Sequence, residues 1–214
     1  MMKKIIEVCA YPLILAAFIV ISIFLCCQGN PYKLALGIAG IILAFGECLY
    51  LIPKIIADIS LAFESQFALG IGKAVCSVTR VLFMLILYHI CAIFYNMPYN
   101  FVTGIVYFFA TVAVIMIVLP RNQWSENKEH GLIWSLILNT PMLFLGIVMI
   151  IIYSVNINYA IWNPLNFFWI GILFFHLSYF LSVALQKNNS NWELLNILSY
   201  LALISILILG FYMI

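Results

Sequence analysis

The chain consists of long apolar stretches separated by short polar connections. Seven of the stretches hold about 20 residues or more, which is enough for an α-helix to cross the hydrocarbon core of a bilayer. The predicted spans are residues 7–27, 34–52, 67–94, 101–119, 131–153, 164–185 and 194–213. The pattern therefore predicts an all-α fold, in which residues 1–214 form a single membrane domain built as a bundle of seven transmembrane helices.

The composition agrees with lipid as the main solvent. Hydrophobic residues make up 67% of the chain and charged residues 7%, whereas soluble domains hold about 45–50% and about 25%. These values exclude a soluble globular domain, a disordered chain and a secreted domain held by disulfides. The net charge of +2 is too small to indicate nucleic-acid binding. The six cysteines lie in or beside apolar stretches without metal-ligand spacing, so no metal and no cofactor are predicted.

The basic residues of the connections predict the orientation. If the amino terminus is cytoplasmic, six basic residues lie on the cytoplasmic side and only Lys33 lies outside, in agreement with the positive-inside rule. The six are Lys3, Lys4, Lys54, Arg121, Lys128 and Lys187. Seven spans then put the carboxyl terminus outside, in a protein expected in the plasma (cytoplasmic) membrane. Trp124, Trp162 and Trp192 fall where aromatic residues anchor helix ends at the interface.

Two basic residues remain inside a predicted span, Lys73 and Arg80 of the third. A charge at the bilayer centre costs about 2.5–3.5 kcal/mol on insertion scales, so such residues are normally paired or face a watery cavity. The predicted counter-charge is Glu47 of the second span. The helical rise puts Glu47 and Lys73 each about 8–9 Å from the cytoplasmic edge, and Arg80 at about 20 Å. We therefore expect an ion pair of Glu47 with Lys73 or Arg80.

Further polar residues share the depth or the helical face of these charges. Together with them they come from four spans, and we expect them to line a polar cavity that opens toward the cytosol or the inner leaflet. They are Ser77 and Tyr88 on the face of Lys73 and Arg80, Asn139 in the fifth span, and His176, Ser178 and Tyr179 in the sixth. Simpler interpretations stay open: an ion pair that fixes helix register, a histidine satisfied in the interior, and a kink at Asn139-Thr140-Pro141.

Two stretches around these residues carry a family resemblance. Residues 45–51 read Phe-Gly-Glu-Cys-Leu-Tyr-Leu, and they are followed by Phe-Ala-Leu-Gly-Ile-Gly-Lys at 67–73 and by Leu-Tyr at 87–88. Residues 171–179 read Gly-Ile-Leu-Phe-Phe-His-Leu-Ser-Tyr. These stretches, and the length of the chain, resemble the lysoplasmalogenase (YhhN) family of membrane proteins. That family has aspartates where Glu47 and Tyr179 stand here, and its members usually have eight spans.

The resemblance implies a hydrolase that cleaves the vinyl ether bond of a lysoplasmalogen and releases a fatty aldehyde and a glycerophospho headgroup. On this interpretation Glu47 is the catalytic acid or base, and Tyr179 or His176 orients water or the leaving group. The substrate-binding residues are Lys73 and Arg80, which hold the phosphate, with Ser77, Tyr88 and Asn139.

Two other functions remain open from the residues alone. A transporter or binding protein would use Glu47 as a proton-coupled or ligand-binding carboxylate, while Lys73 and Arg80 exchange partners between states. A structural or assembly subunit would use the same three charges only to fix helix packing. Membrane lipids are the expected partners throughout, and a lysolipid or another amphiphile is the expected substrate or ligand of the first two functions.

Overall fold

The computed structural model describes residues 2–59, 66–98, 100–126, 131–157, 163–185 and 192–213, without the side chains of residues 2–8, 58 and 59. Lys128, Trp162 and Lys187, which the sequence assigns to basic connections or to the aromatic belt, lie outside these residues. Within the described ranges seven α-helices are long and apolar enough to cross a membrane, and no strand occurs. The predicted fold class, an all-α transmembrane bundle, is therefore confirmed.

The helices follow one another with short connections. They are α1 (Met2–Cys26), α2 (Pro31–Ile59), α3 (Gln66–Phe94), α4 (Phe101–Val118), α5 (Leu132–Val155), α6 (Phe168–Leu185) and α7 (Trp192–Phe211). Two short 3-10 turns, Pro120–Asn122 and Trp124–Glu126, follow α4, and a third, Pro164–Phe167, leads into α6. Asn100 caps the start of α4, because its side chain accepts a hydrogen bond from the N–H of Val102 at 2.9 Å.

The second helix differs most from its predicted length. It continues through Pro53 and ends at Ile59 instead of residue 52. Proline is tolerated inside membrane helices because neighbouring groups satisfy the backbone carbonyl that it leaves free. The extension carries Lys54, whose Nζ donates a hydrogen bond to the hydroxyl of Tyr11 on α1 at 3.0 Å. The additional turns lengthen α2 at the end that the charge pattern assigns to the cytoplasm.

The seven helices form a ring. Each helix packs against its neighbour in the chain, and α7 packs against α1 to close the ring. α3 also contacts α5, and α2 contacts α7, so direct contacts cross the centre. We name the end that holds the C-termini of α2 and α4, with Lys54 and Arg121, the basic end; the other is the opposite end.

The half of the ring toward the opposite end is packed with apolar side chains. Phe83 and Leu87 of α3, Met149 of α5 and Phe175 of α6 are all fully buried there. Many other large apolar side chains face outward along the helices, as contact with lipid acyl chains requires. Among the described residues, the buried charged side chains Glu47, Arg80 and Glu193 lie at mid-bundle or toward the basic end, and the opposite half holds only uncharged buried polar groups such as Ser22 and Asn166.

α2 and α3 approach each other closely at two glycines. Gly46 of α2 faces the side chain of Thr79, and Gly72 of α3 lies against the backbone of Leu49 and Tyr50. A Cβ atom at either glycine would overlap these atoms. Small residues at such positions let two membrane helices pack nearly backbone to backbone. The contact fixes the register of the two helices that carry the buried charges.

Cys27 tests the orientation, because it is exposed and lies just after α1 at the opposite end. We expect a membrane-impermeant maleimide to label Cys27 in intact cells and the label to disappear in the Cys27→Ser variant. The double variant Cys27→Ser/Arg121→Cys, with its new thiol at the basic end, should react only after the cells are opened. Labelling of that double variant in intact cells would contradict this orientation and place the basic end outside the cell.

Candidate functional site

A cavity of about 240 Å³ lies inside the ring, in the half toward the basic end. Six helices, α2 to α7, contribute to its wall. Its charged and polar members are Lys73, Ser77, Arg80, Ser135, Asn139, Ser182 and Asn196, and its larger aromatic members are Tyr50, Trp124, Tyr179, Trp192 and Tyr200. The cavity thus brings together five residues that the sequence predicts for the site: Lys73, Ser77, Arg80, Asn139 and Tyr179.

Arg80 of α3 is the central side chain of the cavity. Its Nε donates to Oε1 of Glu47 at 2.8 Å, and its Nη2 donates to the hydroxyl of Tyr200 at 3.1 Å. The guanidinium also lies over two aromatic rings, 4.9 Å from the centre of Tyr179 and 5.3 Å from that of Tyr200. A guanidinium has five N–H donors, so these contacts hold its plane while donors remain for another partner.

Glu47 lies behind Arg80 and outside the cavity wall. Its exposed fraction is 0%, and its Oε2 has no hydrogen-bond partner among the residues that the structure describes. A buried carboxylate is stabilised by a counter-charge with good geometry, and the pair then costs less than either charge alone. Arg80 therefore neutralises Glu47 on one side and faces the cavity on the other.

Tyr179 of α6 and Asn139 of α5 form a second hydrogen-bonded group in the wall. The Tyr179 hydroxyl donates to Oδ1 of Asn139 at 2.9 Å, and Nδ2 of Asn139 donates to the Ser135 carbonyl at 2.8 Å. Phe175 stacks on the Tyr179 ring with centres 5.7 Å apart. These contacts hold the ring beside Arg80, so α5 and α6 support the guanidinium together with α7.

Lys73 and Ser77 extend the polar face of α3 from Arg80 toward the basic end. Ser77 lies about one turn and Lys73 about two turns from Arg80. The Ser77 hydroxyl donates to the Lys73 carbonyl at 2.8 Å. The cavity therefore has one cation deep inside it and a second cation nearer the basic end.

Tyr88 and His176, which the sequence places in the cavity, lie away from it. The Tyr88 hydroxyl pairs with Oγ1 of Thr103 at 2.6 Å, because Tyr88 lies two turns beyond Arg80 toward the opposite end. The His176 ring lies against Gly146, and its Nδ1 donates to the Ile172 carbonyl at 2.8 Å. Ser178 of α6, which shares the predicted depth of His176, donates a hydrogen bond to the Phe174 carbonyl of its own helix.

The depth estimate that put Glu47 level with Lys73 is wrong. Because α2 ends at Ile59, Glu47 lies about 18 Å from that end at the helical rise, and Arg80 lies about 21 Å from the start of α3. These two depths agree, and the carboxylate meets Arg80 rather than the lysine. The expectation of an ion pair holds with Arg80 as the partner.

The sequence reasoning missed the contribution of α7. Asn196 and Tyr200 stand four residues apart, so they project from the same face of the helix into the cavity. The available signal was this pair of polar-tipped residues, one turn apart, in an otherwise apolar span. Tyr50, inside the predicted second span, was missed as well, and Trp192, which the sequence assigns only to the aromatic belt, also lines the cavity.

The fold and the site define a seven-helix integral membrane protein with a one-sided polar cavity, as far as the described residues extend. No protein-family model, no curated protein and no solved structure matches the chain. The function is therefore argued from the cavity itself.

Proposed function

We propose that the protein binds an amphiphile, such as a lysolipid, through an anionic headgroup held by Arg80. The observation that carries the proposal is a buried arginine, 6% exposed, which is held in place by Glu47, Tyr179 and Tyr200 and still faces a cavity. Arginine is the residue best suited to planar recognition of phosphate and carboxylate groups. A guanidinium held in place before binding loses little conformational freedom when a ligand arrives.

The dimensions of the cavity suit a headgroup rather than a whole lipid. Pockets for drug-sized ligands usually measure about 300–1,000 Å³, and this cavity measures about 240 Å³. The hydrocarbon chain of a bound amphiphile would therefore leave the cavity between helices and reach the bilayer. The apolar packing of the opposite half favours binding from one side over passage through the centre of the bundle.

A second candidate is cleavage of the vinyl ether bond of a lysoplasmalogen. In its favour stands a buried carboxylate, Glu47, beside the anion-binding arginine. An acid that protonates the vinyl ether carbon must reach the substrate, however, and Glu47 lies behind Arg80. Tyr179 occupies the α6 side of the cavity, where a second carboxylate would be needed. The arrangement therefore favours binding without turnover as the first candidate.

Arg80→Gln tests the proposal directly. We expect the variant to retain an anionic lysolipid about 10–100-fold less tightly than the wild type, because it loses the charged hydrogen bonds to the headgroup. Arg121→Gln is the matched control, since Arg121 is exposed at the basic end and lies 4.0 Å over the Trp134 ring. Native mass spectrometry of the purified proteins with bound lipid measures retention. Equal retention by all three proteins would contradict the proposal.

Two further measurements complete the test. Cys76 lines the same cavity, so a bound headgroup should slow alkylation of its thiol in a variant that keeps Cys76 and Arg80 and has the other five cysteines replaced. Incubation with lysoplasmalogen and with a saturated lysolipid separates the two candidates. Aldehyde release by the wild type, abolished by Glu47→Gln, would establish the hydrolase in place of the binding protein.

A further inference from the structure

We infer that the cavity contains a second, uncharged subsite, formed by Asn196 of α7 and Ser135 of α5, which binds hydroxyl groups of the ligand. This inference rests on the proposed function: Arg80 binds the anionic part of the headgroup, and the second subsite binds its neutral part. The ligand class that follows is a polyol phosphate, either as the headgroup of a lipid or as a free molecule.

The side-chain amide of Asn196 is buried in the cavity wall without a hydrogen-bond partner among the described residues. The residue is 8% exposed and lines the cavity. Within the described parts of the chain its carboxamide makes no hydrogen bond; the Ser199 hydroxyl donates at 2.6 Å to the main-chain carbonyl of Asn196 and not to its side chain. Buried side-chain amides are normally hydrogen-bonded, because an unpaired donor or acceptor retains its desolvation cost. Asn196 lines the cavity, so a group bound there can supply the missing hydrogen bonds of its amide.

Ser135 supports the same subsite independently, because its hydroxyl differs from those of the other serines in the wall. The other two serines of the cavity wall bond back to their own helices, Ser77 to the Lys73 carbonyl at 2.8 Å and Ser182 to the Tyr179 carbonyl at 2.7 Å. The Ser135 hydroxyl makes no such bond to any residue that the structure describes. Serine hydroxyls inside helices ordinarily use the carbonyl one turn back. Ser135 is therefore available to a group inside the cavity.

Asn196 and Ser135 lie at the same level of the bundle, nearer the basic end than Arg80. Asn196 precedes Tyr200 by one turn of α7, and Ser135 precedes Asn139 by one turn of α5. Tyr200 and Asn139 belong to the hydrogen-bonded groups around Arg80 and Tyr179, so the open amide and hydroxyl stand about 6 Å nearer the basic end. This spacing matches a phosphate at Arg80 whose ester carbons extend toward the basic end.

The chemistry of the amide selects the neutral group. A carboxamide offers two N–H donors and one carbonyl acceptor, and a hydroxyl both donates and accepts. A ligand hydroxyl can therefore pair with either end of the Asn196 amide. An ammonium group only donates, and a quaternary ammonium does neither, so either would leave the amide donors unpaired. A polyol satisfies both Asn196 and Ser135.

The test compares two chain-matched phosphodiesters, dodecylphosphoglycerol and dodecylphosphocholine, on the full-length protein in amphipol. We expect the wild type to bind the glycerol ester about tenfold more tightly, as one or two added neutral hydrogen bonds allow. Asn196→Leu should remove this preference, so that the ratio of the two affinities falls to about one. Asn156→Leu, at the opposite end of α5, is the control and should keep the preference.

The outcomes separate this inference from the proposed function. Equal affinity of the wild type for both esters, with binding still lost in Arg80→Gln, would overturn the uncharged subsite and leave the anion site standing. Absence of binding of either ester would overturn both. Competition by glycerol 3-phosphate, lost in Asn196→Leu, would assign the subsite to a free polyol phosphate. Failure of that compound to compete, with the preference intact, would assign it to a lipid headgroup.

Discussion

Arg80→Met is expected to lower the free energy of unfolding by about 3–5 kcal/mol, because it leaves the fully buried carboxylate of Glu47 without its counter-charge. Glu47 is fully buried and is not part of the cavity wall, whereas its partner Arg80 is. Equilibrium unfolding in mixed micelles, followed by tryptophan fluorescence, measures the loss. A change below about 1 kcal/mol would contradict the role of Arg80 as the counter-charge of a buried carboxylate.

The reverse substitution should cost less. In Glu47→Met the guanidinium keeps its contact with Tyr200 and can turn toward the cavity, where water or an anion can pair with it. The double variant Glu47→Met/Arg80→Met removes both charges and is expected to recover most of the stability lost in Arg80→Met. Such a recovery accompanied by loss of lysolipid retention would distinguish a binding role of Arg80 from a purely structural one.

Gly72→Ala is expected to destabilise the bundle by about 2–3 kcal/mol, through overpacking of α2 against α3. A Cβ atom at position 72 would overlap the Leu49 carbonyl and stand 2.8 Å from the Tyr50 Cα. These are backbone atoms, so the two helices must separate to admit the methyl group. Separation would also shift Glu47 relative to Arg80, because the two residues come from these helices.

Gly104→Ala is the matched control for Gly72→Ala. Gly104 is also helical, but a Cβ built there meets no atom within 4 Å. Alanine has the higher helix propensity, so this variant should be as stable as the wild type or more stable by up to about 1 kcal/mol. The same unfolding measurement applies to both variants. Equal stabilities of the two would contradict close packing at Gly72.

The comparison of predicted and observed helices shows where sequence patterns are reliable. Runs of apolar residues predict the seven helices because the thickness of the bilayer sets their length. The end of α2 was misplaced because Pro53 and Lys54 resemble a connection, while the helix continues and Lys54 bonds to Tyr11. A hydrogen bond to another helix is a tertiary contact, so the pattern of apolar residues along the chain does not predict it.

The candidate site was predictable to the extent that charge in a membrane is costly. Lys73, Arg80 and Glu47 stand out in any reading of the chain, because lipid tolerates such residues only with a partner or beside water. His176 seemed equivalent to Tyr179 by depth, and Tyr88 shares the helical face of Arg80, but the structure separates both from the cavity. The difference lies in the direction of each side chain and the helix that it meets.

The sequence by itself determined the membrane class, the number of long apolar helices in the described chain and the presence of buried charges, because these follow from the length and polarity of individual segments. Only the tertiary structure decided that Arg80 rather than Lys73 meets Glu47, that Glu47 stands behind the cavity wall, and that Asn196 and Ser135 face the same space. Those facts depend on helix register and rotation, which contacts between helices such as Gly72 against Leu49 determine.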